Sequence, residues 1–332
     1  MSNTICFGQQ PCGFFPKRFL VAKINTARAL QKEIEAKIVF FYHDSDADYR
    51  ETITIMKDRQ SGAEVRLNFT QENKLQKKFS PLYLKRIPLG WKEETLKQLP
   101  RFISSISSAS EKSLEPVTNQ SQEIPRQMHS SEWTEKNLID IFKSVEANTV
   151  ADFCLEMYTK IGLLDGIEIV RSSDKNFREH TSLLPSRPNP NASEDEWRDP
   201  LSSKILPSSD FSEALGMALN GEYFADLPFQ GEIVRAKIEN LPHQSAPNSA
   251  SVRASLHEGG GKFTYFDLPD NIEKVQINPG KDERFAWMNS VIHATHYIAG
   301  NSEYEYIKRE QFPEVKFIKR EQIENSERAW IG

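Results

Sequence analysis

Two short apolar runs near the start of the chain, residues 4–8 and 38–42, each end in polar residues. Apolar runs of this length, bounded by turn signals, indicate buried strands. Residues 15–36 lie between them and place apolar side chains mostly on one stripe, which predicts a helix with Pro16 in its first turn. A strand, a helix of this length and a second strand predict a right-handed parallel crossover, and therefore an α/β fold.

The polar residues that follow the first strand form one candidate site. Ligands bind beyond the carboxyl ends of the strands in open parallel sheets. Gly8, Gln9 and Gln10 stand at such an end and combine a flexible turn with two side-chain amides, which suits a polyhydroxy or nucleotide ligand. An ordinary strand–helix turn is the alternative explanation, because a single glycine is far from a phosphate-loop signature.

The second strand leads into His43 and the carboxylates Asp44, Asp46, Asp48 and Glu51. If the chain stays extended, alternation places the three aspartates on one side. Carboxylates crowded in a cleft can bind a substrate amine, hold a divalent cation or act as a general base. A charged loop with a helix cap is the alternative for the carboxylates, and a satisfied structural histidine is the alternative for the imidazole.

The rest of the pattern predicts further elements of an α/β chain. Residues 52–69 alternate around a turn at 58–62 and predict an exposed hairpin. Helical periodicity predicts helices over residues 92–110, 134–161, 210–220 and 282–294. Strands are predicted over residues 167–170, 229–278, 297–300 and 315–318.

Changes in composition divide the chain into consecutive parts. Residues 107–131 are rich in Ser, Glu, Gln and Pro and predict a flexible linker or insertion, and the long loop 183–209 has almost no periodicity. The predicted parts are the N-terminal part of the core (1–106), the linker or insertion (107–131), a helical and strand continuation of the core (132–182), a loop- and strand-rich insertion (183–280) and the C-terminal part of the core (281–332).

Two weaker motifs are candidate ligand-binding sequences but have simpler structural explanations. His293 and His296 are spaced for one helix face, yet no third ligand with recognisable spacing appears, so no metal site is predicted. Residues 258–262 contain three glycines and a lysine but lack the phosphate-loop pattern, so a hairpin turn between strands is predicted instead.

Composition narrows the classes of partner. The 332 residues carry a net charge of −5, which argues against a nucleic-acid-binding surface because no basic excess exists to neutralise phosphates. No stretch reaches the about 18 apolar residues that a membrane span needs. The start of the chain does not resemble a secretory leader, and three cysteines without metal-type spacing predict reduced thiols. We therefore expect a cytoplasmic protein with a small-molecule substrate, no nucleic-acid or membrane partner, and oligomer formation left open.

Several motifs, in this order, resemble the cysteine-adding enzymes of bacillithiol biosynthesis, a family of cysteine ligases. The family opens with a glycine–glutamine–glutamine turn and places a lysine on the next helix, as Gly8, Gln9, Gln10 and Lys23 do here. The other similar segments are residues 46–51 after the second strand, 86–89, 150–163, and the late glycine loop 300–306.

The resemblance implies a Rossmann-like parallel sheet core, related to the nucleotidylyltransferase class, with inserted connecting segments. It also implies chemistry in which cysteine is added to a glucosamine–malate conjugate, with ATP or another nucleotide as the candidate cofactor. The residues that it implicates in substrate or nucleotide binding are Gly8, Gln9, Gln10, Lys23, Gly300, Glu303 and Tyr306. The candidate catalytic residues are His43, Asp46, Asp48 and Glu51.

The chain also departs from the family pattern, as a shortened and divergent relative would. Ala47 replaces the family's central histidine, and an asparagine-rich, arginine-containing motif is not recognisable around residues 285–296. The chain also stops soon after the glycine loop, where family members continue into a long helical coiled coil. Three functions stay open: a ligase joining a cysteine-like amine or thiol to an acceptor, a nucleotidyltransferase acting on another small metabolite, and a non-catalytic ligand-binding relative.

Overall fold

The computed structural model describes residues 3–71, 73–103, 135–181, 222–243, 246–259, 262–269 and 272–331. The predicted linker 107–131, the loop 183–209 and the predicted helix 210–220 lie outside these residues.

The described residues form both strands and helices. The strands are β1 Asn3–Gln9, β2 Ala36–Tyr42, β3 Thr54–Lys57, β4 Glu64–Leu67, β5 Glu168–Arg171, β6 Tyr223–Phe229, β7 Glu232–His243, β8 Ala246–Gly259, β9 Lys262–Asp267, β10 Ile277–Pro279, β11 His296–Ala299 and β12 Lys316–Lys319. The helices are α1 Arg18–Glu33, α2 Lys74–Lys78, α3 Trp91–Gln98, α4 Glu135–Ser144, α5 Val150–Lys160, α6 Lys175–His180, α7 Arg284–Ile292 and α8 Asn301–Tyr306. Among the described helices, none is both long and apolar enough to span a membrane.

A five-stranded, all-parallel sheet of order β12-β11-β1-β2-β5 forms the centre of the fold. The α/β, Rossmann-like prediction is thereby confirmed. Starting from β1, the chain adds β2 and then β5 on one side of β1. It later adds β11 and then β12 on the other side of β1. The strand order therefore reverses between β1 and β11, and such a switch point leaves a crevice beyond the strand ends.

Alternation along the central strands explains why both faces of the sheet are covered. Phe7 and Phe40 point to one face, where their rings stack with centroids 5.0 Å apart beneath α1, α4 and α5. Cys6, Val39 and Phe41 point to the other face and pack into a second apolar cluster. Strands buried on both faces read as continuous apolar runs, as the sequence shows here.

A second sheet of order β10-β6-β7-β8-β9, antiparallel throughout, covers that second face together with α7. The prediction of strands over 229–278 is thereby confirmed, although the first strand begins earlier, at Tyr223. The glycine-rich stretch 258–262 joins β8 to β9, and Gly259 pairs with Lys262. The prediction of a hairpin at this stretch is therefore confirmed.

Some predicted boundaries are wrong for local reasons. Helix α1 begins at Arg18, so Pro16 precedes the helix instead of lying in its first turn. The region 134–161 splits into two helices, since the Thr149 hydroxyl accepts from the Asp152 amide and starts α5 anew. The hairpin β3–β4 is present, but it buries one face through Thr54 and Met56, so the exposed hairpin was predicted only half correctly.

Candidate functional site

A cavity of about 1020 Å³ lies beyond the carboxyl ends of β1, β2 and β11, at the point where the strand order reverses. The candidate residues from the sequence that line it are Gly8, Gln9, Gln10, Lys23, His43, Asp46, Asp48, Glu51, Gly300, Glu303 and Tyr306; Asp44 does not. The residues come together because parallel strands send their carboxyl ends to one edge of the sheet.

Lys23 fixes the floor of the cavity between β1 and β11. It lies in the second turn of α1, and its side chain is only 4% exposed. Its Nζ donates to the Gly8 carbonyl and to Glu303 Oε2, both at 2.7 Å, and to Gln9 Oε1 at 3.4 Å. A buried ammonium is tolerable only with such partners, so this lysine holds the turn after β1 in place.

Glu303 is the carboxylate on the other side of this floor. Besides Lys23 it accepts from the Tyr297 hydroxyl at 2.5 Å and from the Gly300 amide at 3.0 Å. Burial first, and then the charge of Glu303, raise the pKa of Tyr297 well above its ordinary value. The tyrosine therefore acts as a fixed donor, and Glu303 is held by three partners.

Asp46 is anchored from two sides of the cavity. Its Oδ2 accepts from Gln10 Nε2 and lies 2.7 Å from Arg284 Nη2. Burial opposes ionisation, but the guanidinium groups of Arg284 and Arg235 outweigh it and hold the pKa of Asp46 well below its usual range. Asp46 is therefore a permanent anion that positions its neighbours, and it is unsuited to proton transfer.

Asp48 and Glu51 are the more accessible carboxylates. Asp48 is 31% exposed and pairs at 2.6 Å with Arg50, which is 75% exposed. Glu51 lies 3.4 Å from Lys17, whose Nζ also contacts Glu327 at 2.8 Å. The Asp48–Arg50 pair is open to water and rearranges at little cost, so Asp48 can turn toward a substrate amine. Glu51 is held more firmly, because its partner Lys17 is only 3% exposed.

The prediction that Asp44 shares a side with Asp46 and Asp48 is wrong. The chain turns directly after β2, and Asp44 is completely buried against the end of β5. Its carboxylate pairs with Arg171 at 2.6 Å and accepts from the Ser173 amide at 2.9 Å. Asp44 thus ties β2 to β5 and does not line the cavity.

His43 lines the cavity as a neutral imidazole. Its ring stacks on Phe41 at 5.7 Å and lies 6.3 Å from the ring of Trp287. Burial first, and then the charge of Arg284, lower the pKa of His43 well below its ordinary value. Neither ring nitrogen has a hydrogen-bond partner in the described part of the chain, so His43 does not fit the alternative of a satisfied structural histidine.

The cavity wall near α8 carries Tyr306 together with a cation. Lys281 Nζ lies 4.0 Å from the centroid of the Tyr306 ring, an arrangement that attracts the ammonium to the ring face. Burial first, and then the charge of Glu303, raise the pKa of Tyr306 above its ordinary value. Tyr306 is therefore a neutral hydroxyl at this wall.

The antiparallel sheet and the segment that follows it also supply cavity residues, which were not predicted from the sequence. They are Glu222 and Phe224 at the start of β6, Lys281 after β10 and Arg284 at the start of α7. No arginine-containing motif is recognisable over residues 285–296, but Arg284 lies immediately before this stretch. An arginine in the first turn of the predicted helix 282–294 was therefore the one sequence signal that pointed to this residue. No sequence signal indicated that the insertion would reach the cavity.

Other sequence candidates lie elsewhere. Ala47 is not among the cavity-lining residues; its carbonyl accepts from Lys85 at 3.2 Å. His293 caps α7 in a left-handed conformation with φ of 51°, whereas His296 begins β11, so the two do not share a helix face. The described residues contain no group of three or more side chains placed to hold a metal ion.

The cysteines are buried and free. Burial raises the pKa of Cys12 to about 11, although hydrogen bonding to Tyr158 opposes the shift. A nucleophilic thiolate needs a lowered pKa, so the geometry gives Cys12 no catalytic role.

Comparison of the chain with protein-family models and with curated proteins finds no match. The resemblance to cysteine ligases therefore stays a prediction that rests on the motifs. What the cavity does is inferred from its own geometry.

Proposed function

We propose that this chain is a small-molecule ligase-like enzyme that joins a cysteine-like amine or thiol to an acceptor. The observation that supports it best is the cavity at the strand-order reversal, where Gln9, Gln10, Lys23 and Glu303 lie beside His43, Asp46, Asp48 and Glu51. Binding sites in open parallel sheets occur at such points.

The charges of the cavity suit an amino-acid substrate. Asp48, Glu51 and Glu327 lie together on one side, since all three also line an adjoining cavity of about 630 Å³. Arg284 and Lys281 line the main cavity as cations. A molecule with an ammonium and a carboxylate could therefore be held at both ends. Asp48 or Glu51 would accept the proton that the amine loses as it attacks a carboxyl carbon of the acceptor, whose C–O bond breaks and releases water, or phosphate where ATP has activated the carboxyl group.

The remaining residues position this machinery. Lys23 and Glu303 fix the turn of Gly8 and Gln9 beside the strand-order reversal, and Asp46 fixes Gln10. We propose that the amides of Gln9 and Gln10 contact hydroxyl groups of the acceptor, because each amide both donates and accepts.

The test is a product search by mass spectrometry. The purified protein is incubated with cysteine and glucosamine–malate, with and without ATP and magnesium. A condensed cysteine-containing product, lost in the Asp48→Asn variant, supports the proposal. Absence of that product under both conditions, with a correctly folded protein, contradicts it.

A nucleotidyltransferase is the second candidate, favoured by the reversal of strand order in a parallel sheet with a cavity of about 1020 Å³. Release of AMP, or a nucleotidylated product without condensation, would favour this function. A thermal shift with these ligands but no product of either kind would favour the non-catalytic relative, since ligand binding alone stabilises the folded state.

A further inference from the structure

Buried polar atoms that lack a hydrogen-bond partner are concentrated beside the cavity. In the described part of the chain there are five such atoms, and four of them belong to His43, Arg284 and Trp287. Arg284 and Trp287 lie one turn apart on α7, and the rings of Trp287 and His43 are 6.3 Å apart. The three residues therefore form one cluster, of which His43 and Arg284 line the cavity and Trp287 does not.

The cluster is made mainly of donors. Arg284 Nε and Trp287 Nε1 can only donate, and a neutral His43 donates through one of its two nitrogens. Buried donors without acceptors cost free energy in the folded state. Unpaired donors beside a cavity therefore indicate a binding site for a ligand whose oxygen atoms accept hydrogen bonds.

The surrounding charges favour an anion. The guanidinium groups that act on His43 are those of Arg284, Arg235 and Arg178, whereas the carboxylates near them are Asp46 and Asp226. Three positive charges thus face two negative ones. Asp44 does not alter this balance because Arg171 pairs with it at 2.6 Å.

We propose that His43 and Arg284 form an oxyanion subsite, beside Trp287, that binds a carboxylate or phosphate group of the substrate. The inference rests on the proposed function and adds to it the class of substrate, an anionic small molecule. Lys281 extends the positive surface along the same cavity, and no described carboxylate forms an ion pair with it.

The test uses inorganic phosphate and succinate as probes of the two oxyanions. Each is titrated into the full chain while the indole N–H signals are followed by NMR, with Trp287→Phe assigning the relevant signal. Because the Trp287 ring lies 6.3 Å from the ring of His43, we expect the Trp287 signal to shift with at least one probe. The tighter of the two probes identifies the subsite as one for phosphate or for carboxylate.

Matched arginine variants separate the subsite from general charge. Arg284→Gln should weaken binding about tenfold or more, because it removes charge-assisted hydrogen bonds. Arg320→Gln removes another cavity-lining arginine, one that donates to the Glu321 carbonyl at 2.8 Å, and should change the Kd by no more than about twofold. Equal losses in both variants, or no indole shift with either probe, overturn the proposal.

A second variant covers the case in which Arg284→Gln does not fold. His43→Phe keeps an aromatic ring and removes both unpaired ring nitrogens, so binding should weaken about fivefold; unchanged affinity overturns the proposal. Failure here is distinguishable from failure of the proposed function. Oxyanion binding without any condensed product contradicts the ligase alone, whereas product formation with an unchanged KM in Arg284→Gln contradicts the subsite alone.

Discussion

Lys23 and Glu303 form a 2.7 Å ion pair across the point where the strand order reverses, although 280 positions separate them in the chain. The lysine comes from the helix after β1, and the glutamate comes from the helix after β11. Both side chains are largely buried, with 4% and 17% exposure. One contact therefore joins the two halves of the parallel sheet directly beneath the cavity.

Lys23→Met should lower the free energy of unfolding by about 3–5 kcal/mol, because it leaves Glu303 partly buried without its cation. Lys37→Met is the matched control, since Lys37 pairs with Glu168 at 3.2 Å with both side chains about half exposed. It should cost no more than about 1 kcal/mol. Urea unfolding measures both, and equal losses would contradict a structural role for the buried pair.

The two predicted binding glycines should respond differently to alanine. A Cβ at Gly8 would lie 2.9 Å from the Tyr297 hydroxyl, which donates to Glu303, so Gly8→Ala forces this network apart. We expect a loss of about 1–3 kcal/mol in the free energy of unfolding. A Cβ at Gly300 would meet nothing closer than 3.7 Å.

Gly300→Ala is thus the control, and its stability should stay within about 0.5 kcal/mol of the parent chain. Thermal and urea unfolding of both variants check the contrast. A Gly8→Ala protein as stable as Gly300→Ala would show that Tyr297 can move without cost.

The central fold could be predicted because its signals are local. The runs that become β1 and β2 are buried on both faces, so they show as continuous apolar segments, and the helix between them fixes a parallel crossover. The edge of the sheet that carries the site follows from this topology. Because ligands bind beyond the carboxyl ends of parallel strands, Gln9, Gln10 and Asp48 could be predicted to lie at the site without any knowledge of the ligand.

The contacts that depend on distant parts of the chain could not be predicted. Asp44 and Asp46 are two residues apart, yet the first pairs with Arg171 and the second with Arg284. Which partner each finds is decided by the turn after β2 and by the packing of the antiparallel sheet. Periodicity shows that a strand is buried, but it does not show what packs on it.

Asp48→Asn and Asp46→Asn should separate reactivity from stability. Asp48 is partly exposed, so its amide variant should fold with an unchanged thermal midpoint while turnover falls by about 10²–10⁴-fold, the usual contribution of a general base. Asp46→Asn removes the carboxylate that pairs with Arg284 and should lower the free energy of unfolding by about 3 kcal/mol. A destabilised Asp48→Asn protein would instead assign that carboxylate a structural role.

Stability should fall in acid because His43 is buried as a neutral ring. Burial, reinforced by Arg284, Arg235 and Arg178 and opposed by Asp46, lowers the pKa of His43 well below 6.5. Below pH 6.5 the unfolded chain binds a proton at this position that the folded chain does not bind, so the free energy of unfolding decreases as the pH falls.

In His43→Gln this contribution of the imidazole to the pH dependence is absent. Urea unfolding of both proteins at about pH 7.5 and about pH 5.5 should therefore show the parent losing up to about 1.4 kcal/mol more than the variant for each pH unit below 6.5. Parallel losses in the two proteins would show that the folded chain binds this proton as readily as the unfolded chain, and would contradict a ring held neutral by burial.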